Sequence, residues 1–194
     1  MYPLTFLPFV GKAYNTGGIF KKKVMVLGES HYGSIPDLQT TRKVLGWYLD
    51  PSVEREAWMS TFLKFERSLV GRETSHEDSH RIWNSVVFYN YLQVLLEGPR
   101  DGVTQQMFEN SSDAFFQILE QFQPDILIVW GKRLYGNLPN KNWTDADNIS
   151  VDGYDIENGY YNLRNGHKTR MFAVYHPSVG YSWDYWYKVI SEFL

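Results

Sequence analysis

The chain has 194 residues, 43% hydrophobic and 21% charged, which is typical of a globular protein and predicts a single domain over residues 1–194. Its formal net charge of -3 gives no overall basic footprint for nucleic acid, and the lack of cysteine excludes disulfides, Fe–S clusters, thiolate zinc sites and cysteine nucleophiles. No apolar run approaches the ~20 residues of a membrane span and no signal-peptide pattern is present, so we expect a cytoplasmic protein without a membrane partner.

Apolar runs, helical spacing and turn residues predict strands that alternate with helices. The predicted elements are, in chain order, a strand at Val24–Leu27, a helix in Ser52–Val70, a strand at Ser85–Tyr89, a helix at Ser111–Phe122, a strand at Ile126–Trp130, a surface loop at Asn137–Asp155, a hairpin that turns at Asn165 and Gly166 with its second arm at Met171–Tyr175, and a helix in Ser182–Leu194. A helix from Asp78 to Leu96 is the alternative to the second strand.

This alternation favours an α/β fold with three layers (α/β/α) around a central, largely parallel four-stranded sheet. In such sheets ligands bind beyond the carboxyl ends of the strands. The segments in that location are GESHYG at 28–33, the region of Asn90, GKRLYG at 131–136 and HPSVGYS at 176–182. The sequence therefore predicts that four separate loops meet at one edge of the sheet.

Four segments in chain order resemble the motifs of the uracil-DNA glycosylase superfamily. They are GESHY at 28–32, WNSVVFYNY at 83–91, PDILIVWG at 124–131 and HPS at 176–178, and together they span about 150 residues. In that family a strand ends in Gly before a short polar segment, a second strand carries an Asn, a third reads Pro-Asp-apolar-Gly, and a late strand ends in His-Pro-Ser. The resemblance implies a uracil-DNA glycosylase-like fold and a hydrolase that removes a deaminated or damaged base from DNA without a metal or cofactor.

The chemistry of base removal explains why such residues stand at these positions. Breaking the bond between base and deoxyribose builds positive charge on the sugar and negative charge on the departing base, which a carboxylate or activated water and a hydrogen-bond donor can stabilise. The base must first leave the stack and enter a pocket. The resemblance assigns His176 as donor to the base oxygen, Phe88 or Tyr32 as stacking or gating ring, and Glu29 as activator of water. It assigns Asn84 as reader of the base edge, because its spacing fits the family pattern better, with Asn90 as the fallback.

The sequence also departs from the family pattern. Ser30 stands where the best-known family version has its water-activating Asp, and His31 replaces a Pro and adds a second titratable group. These departures leave an alternative, a module that binds a free nucleobase or nucleotide without cleaving it. The predicted catalytic residues are Glu29, His31 and His176, and the predicted substrate-binding residues are Gly28, Ser30, Tyr32, Asn84, Phe88, Asn90 and Ser178.

Two further patterns have simpler interpretations. HEDSH at 76–80 matches the His-Glu-x-x-His of zinc peptidases, but its neighbours are polar, and Ser75 with Asp78 indicates a helix start, so we predict no metal site. Lys132 and Arg133 follow the third strand. We expect both side chains to be solvated, and contact with phosphate is the alternative.

Overall fold

The computed structural model describes residues 4–98 and 102–194 and contains a seven-stranded mixed sheet with helices around it. The helices are α1 (Thr40–Leu49), α2 (Met59–Val70), α3 (His76–Trp83), α4 (Gln105–Phe122), α5 (Lys132–Gly136) and α6 (Trp183–Ser191). The strands are β1 (Phe9–Val10), β2 (Val24–Gly28), β3 (His31–Tyr32), β4 (Val86–Asn90), β5 (Leu95–Leu96), β6 (Ile126–Trp130), β7 (Trp143–Asp145), β8 (Ile149–Val151), β9 (Tyr154–Ile156), β10 (Asn158–Asn162) and β11 (Lys168–Val174). Within the described ranges, no helix is long and apolar enough to cross a bilayer.

The main sheet has the order β1-β4-β2-β6-β11-β10-β7. Its three central pairings, β4 with β2, β2 with β6 and β6 with β11, are parallel, and the three outer pairings are antiparallel. The α/β class is therefore confirmed, but the sheet is larger and more mixed than the predicted four-stranded one. The three added strands lie on the outer side of the parallel ones. β1 and β7 have only two and three residues, too few for a recognisable pattern, and β10 pairs with β11 in the hairpin that turns at Asn165 and Gly166.

Helices cover both faces of this sheet because its central strands are apolar on both sides. Val24 and Val26 of β2 belong to one core with α1, α2, α3 and α6, whereas Met25 and Leu27 belong to a second core with α4. All five residues of β2 and of β6 are buried. This double burial is what continuous apolar runs in parallel strands predict.

Several predicted boundaries change in the structure. The helix expected from residue 52 begins at Met59, and the one expected from residue 111 begins at Gln105. The alternative helix over residues 78–96 is wrong, because α3 ends at Trp83 and β4 follows. The predicted helix start is confirmed by a capping box, in which the Ser75 side chain accepts from the Asp78 amide and the Asp78 side chain accepts from the Ser75 amide. The predicted loop at 137–155 is wrong, since β7, β8 and the start of β9 lie in it.

The chain order creates a crevice at the carboxyl end of β2. From β2 the chain passes to β4 on one side and then crosses to β6 on the other. At such a topological switch point the connections that leave neighbouring strands diverge, and the space between them is the usual ligand site of an α/β sheet.

Candidate functional site

A cleft of about 1190 Å³ lies at this switch point. Four strand ends contribute to it, through residues 28–32 after β2, Asn90 at the end of β4, residues 130–134 after β6 and residues 175, 176, 178 and 179 after β11. The remaining wall comes from α1, α2 and the segment between them. The structure thus brings together the loops that the sequence predicts at one edge.

Gly28 allows the first loop and Asn90 to approach each other closely. The two residues are paired in register at the ends of β2 and β4, and a Cβ added to Gly28 would lie 2.1 Å from Asn90 Oδ1. The Asn90 amide nitrogen donates to the Ser30 carbonyl oxygen at 3.1 Å, and Asn90 is only 6% exposed. Glycine is therefore required here for lack of space, and the Asn90 amide is anchored to the first loop.

His31 lies in the wall of the cleft and is buried. Its Nε2 is 2.8 Å from Thr41 Oγ1, and its ring packs edge-on to Phe6 with 5.0 Å between centroids. Burial lowers the pKa of His31 to about 4, so the ring is neutral at pH 7.

This neutral ring positions Asn90. Asn90 Nδ2 lies 3.2 Å from both ring nitrogens of His31, and because an amide nitrogen only donates, His31 must accept. If His31 accepts at Nδ1, its proton is on Nε2 and can be donated to Thr41 Oγ1. At 2.8 Å, the contact between Nε2 and Thr41 is shorter than either contact with Asn90. The His31 ring therefore holds the Asn90 amide in place, and its catalytic role stays a prediction.

Glu29 forms an ion pair across the cleft with Arg133, the second residue of α5. Arg133 Nε donates to Glu29 Oε2 at 2.9 Å, and Nη2 donates to Oε1, so the pair is bidentate. The Glu29 side chain is 12% exposed and that of Arg133 40%. Each carboxylate oxygen thus accepts one bond from Arg133 and keeps a second lone pair for a water or a ligand.

His176 and Ser178 form the opposite corner of the cleft. The Ser178 backbone N–H donates to His176 Nδ1 at 3.2 Å, and Ser178 Oγ lies 2.7 Å from the same nitrogen. Because Nδ1 accepts the backbone bond, a neutral His176 carries its proton on Nε2. The ring stands edge-on to Trp130 with 6.0 Å between centroids. A neutral His176 with its proton on Nε2 thus stands next to an aromatic wall.

Aromatic rings form the floor of the cleft. Phe88, Phe62 and Trp130 line it and contact one another, with Phe88 centroids 5.5 Å from Phe62 and 5.1 Å from Trp130. Trp130 Nε1 and Ser30 Oγ are both buried without a hydrogen-bond partner among the described residues. Buried polar atoms are normally paired, so these two are an unusual feature of the cleft wall.

Asn84 lies away from the cleft. It caps the carboxyl end of α3 and precedes β4, which puts it at the amino end of the strand whose carboxyl end carries Asn90. It borders a separate cavity of about 310 Å³ with Ala13 and His80. Of the two asparagines proposed as base readers, the structure therefore leaves Asn90 alone in the site.

Some lining residues were missed by the sequence analysis. Trp47 of α1, Trp58, and Tyr175 after β11 all line the cleft. A usable signal existed for α1, because its buried residues Thr41, Leu45, Tyr48 and Leu49 follow helical spacing. Tyr175 directly precedes the His-Pro-Ser motif, and its position at a strand end was the available signal.

The described residues contain no group of three His, Asp or Glu side chains arranged to hold a metal ion. In the HEDSH segment, His76 Nε2 lies 2.8 Å from the Leu49 carbonyl oxygen, and the rings of His76 and His80 are edge-on at 4.6 Å.

Comparison of the chain with models of known protein families and with curated proteins found no match in either.

Proposed function

We propose that the chain is a uracil-DNA glycosylase-like protein that hydrolyses the bond between a deaminated or damaged base and its deoxyribose in DNA. The observation that carries the proposal is that GESH at 28–31 and two residues of the HPS segment, His176 and Ser178, line one cleft with an aromatic floor, although they are about 150 residues apart. A flat heterocycle fits between such rings, with polar groups at its edges.

The positions of the residues at the site support the following roles. His176 Nε2–H donates to the base oxygen that gains negative charge as the glycosidic bond breaks. Phe88 and Trp130 pack against the base. Asn90, whose amide nitrogen is held by the Ser30 carbonyl and His31, reads the polar edge of the base through Oδ1. Glu29, through a lone pair that Arg133 does not use, accepts a proton from the water that adds to the sugar carbon.

A second candidate, binding of a free base or nucleotide without cleavage, is favoured by one specific observation. Both Glu29 oxygens are held by Arg133, and Ser30 provides no carboxylate in its place. If Arg133 keeps this carboxylate turned away from the sugar when ligand is bound, the cleft holds a base but activates no water.

Single-turnover release of base from oligonucleotides that carry uracil, hypoxanthine or xanthine tests the proposal. We expect release of at least one of these bases, a loss of about 10²-fold or more in Glu29→Gln and in His176→Asn, and an unchanged rate in the matched control Asn84→Ala. If no base is released from any substrate, hydrolysis is refuted. In that case a rise in melting temperature with free base, retained in Glu29→Gln, supports the second candidate.

A further inference from the structure

Exposed aromatic side chains are concentrated around the mouth of the cleft. Five aromatic residues in the described ranges are more than a third exposed, and three of them line this cleft: Tyr32 (52%), Trp47 (51%) and Tyr175 (53%). They come from β3, α1 and the loop after β11, so three separate elements place a ring at the same opening. Exposed rings on separate elements are suited to stacking several flat groups.

The charged residues that line the cleft cancel one another. Glu29 and Glu56 oppose Lys132 and Arg133, and the buried ring of His31 is neutral at pH 7. The whole chain carries a formal charge of -3. A duplex offers mainly phosphates to a protein surface, and binding it needs several cations along the backbone. This cleft lacks that charge.

The size of the cleft sets the extent of its ligand. Its volume of about 1190 Å³ exceeds the ≈ 300–1,000 Å³ of sites that bury a drug-sized molecule. A single base stacked on the floor would leave the exposed rings at the mouth uncovered. A ligand that covers them must extend over more than one nucleotide.

We infer that the cleft takes an unpaired segment of single-stranded nucleic acid, with the bases that flank the central base stacked on Trp47 and Tyr175. The inference rests on the proposed base-binding role of the cleft. Stacking supplies most of the affinity, and phosphate contact through Lys132 supplies a small part.

Binding of short fluorescein-labelled DNA, measured by anisotropy, tests the inference. The probe contains only the four normal bases, so binding is measured separately from cleavage. We expect the single strand to bind more tightly than the duplex of the same sequence and more tightly than mononucleotides. Because few phosphates are neutralised, the slope of log K against log salt should be about -0.7 to -1.4, equivalent to one or two contacts.

Substitutions at the mouth separate stacking from other contributions. Trp47→Ala and Tyr175→Ala should each weaken binding of the single strand by roughly 5- to 150-fold, and Trp47→Phe should restore much of the loss. Tyr154→Ala is the matched control, because Tyr154 is 67% exposed and does not line the cleft. The affinity of Tyr154→Ala for the single strand should equal that of the wild type.

The outcomes distinguish this inference from the proposed function. Equal or tighter binding of duplex or of mononucleotide, or unchanged affinity in Trp47→Ala and Tyr175→Ala, overturns the inference even if base is released from DNA. Tight single-strand binding that depends on both rings supports it even if no base is ever released.

Discussion

We expect the free energy of unfolding to decrease as the pH falls from 7 to 5, because His31 takes up a proton in the unfolded chain and not in the folded protein. In the folded state the imidazole is enclosed by Thr41, Asn90 and Phe6, and none of these three side chains is charged. The carboxylate nearest in the chain, Glu29, is paired with Arg133. Burial therefore holds the pKa of His31 at about 4, against 6.5 for an exposed histidine.

The size of the effect follows from these two pKa values. Between pH 6.5 and pH 4 the unfolded chain binds a proton that the folded protein does not, so the free energy of unfolding rises with pH in this window and falls as the pH is lowered. The loss from pH 7 to pH 5 is about 2 kcal/mol, and it approaches about 3 kcal/mol below pH 4. That is a large part of the ~5–15 kcal/mol by which native proteins are stable.

Urea unfolding of the wild type and of His31→Gln at both pH values measures this loss. The variant has no imidazole at position 31, so the difference in unfolding free energy between the two proteins should change by about 2 kcal/mol from pH 7 to pH 5. Thr41→Val keeps the buried ring and should keep the pH dependence of the wild type while being less stable. If the unfolding free energies of wild type and His31→Gln differ by the same amount at pH 7 and at pH 5, the assigned burial of His31 is refuted.

The remaining predictions concern the other close contacts of the cleft. A double-mutant cycle with Glu29→Gln and Arg133→Gln should give a coupling of about 1 kcal/mol, the upper end of the range for surface ion pairs, because the pair is bidentate and Glu29 is only 12% exposed; additive effects would show that the pair does not form. Gly28→Ala should destabilise the protein by about 1–3 kcal/mol, because the new Cβ would meet Asn90 Oδ1 at 2.1 Å. Gly46→Ala should instead stabilise the protein by up to ~1 kcal/mol, since alanine favours a helix and nothing lies within 4 Å of the added Cβ. Thermal unfolding should therefore show a lower melting temperature for Gly28→Ala and a higher one for Gly46→Ala.

The central strands and their common edge were predictable because local pattern and topology determine them. Val24–Leu27 and Ile126–Trp130 are continuous apolar runs, and such runs are buried on both sides in a parallel sheet. Once the strands alternate with helices, their carboxyl ends share one edge. The meeting of the segments at residues 28–32 and 175–179 follows from these two rules and requires no knowledge of side-chain contacts.

The side-chain contacts of the site were not predictable, because they depend on residues far apart in the chain. Glu29 and Arg133 are 104 positions apart, and their pairing depends on how two loops leave neighbouring strands. The burial of His31 requires Phe6 and the helix that carries Thr41, and sequence reading identified neither as part of the site. A polar edge strand such as β7 has no apolar pattern that distinguishes it from a loop.

One measurement tests most directly whether the two histidine-bearing corners close over a common cleft. The chain has no cysteine, so Val179→Cys, at a position 56% exposed in the last loop, can carry a single nitroxide label. We expect strong paramagnetic broadening of the amide signals of residues 29–32 and 131–133, and little at Asn84 or at the hairpin turn of residues 165 and 166. Broadening confined to residues near 179 in sequence and to α6, with the signals of residues 29–32 unaffected, would contradict this expectation.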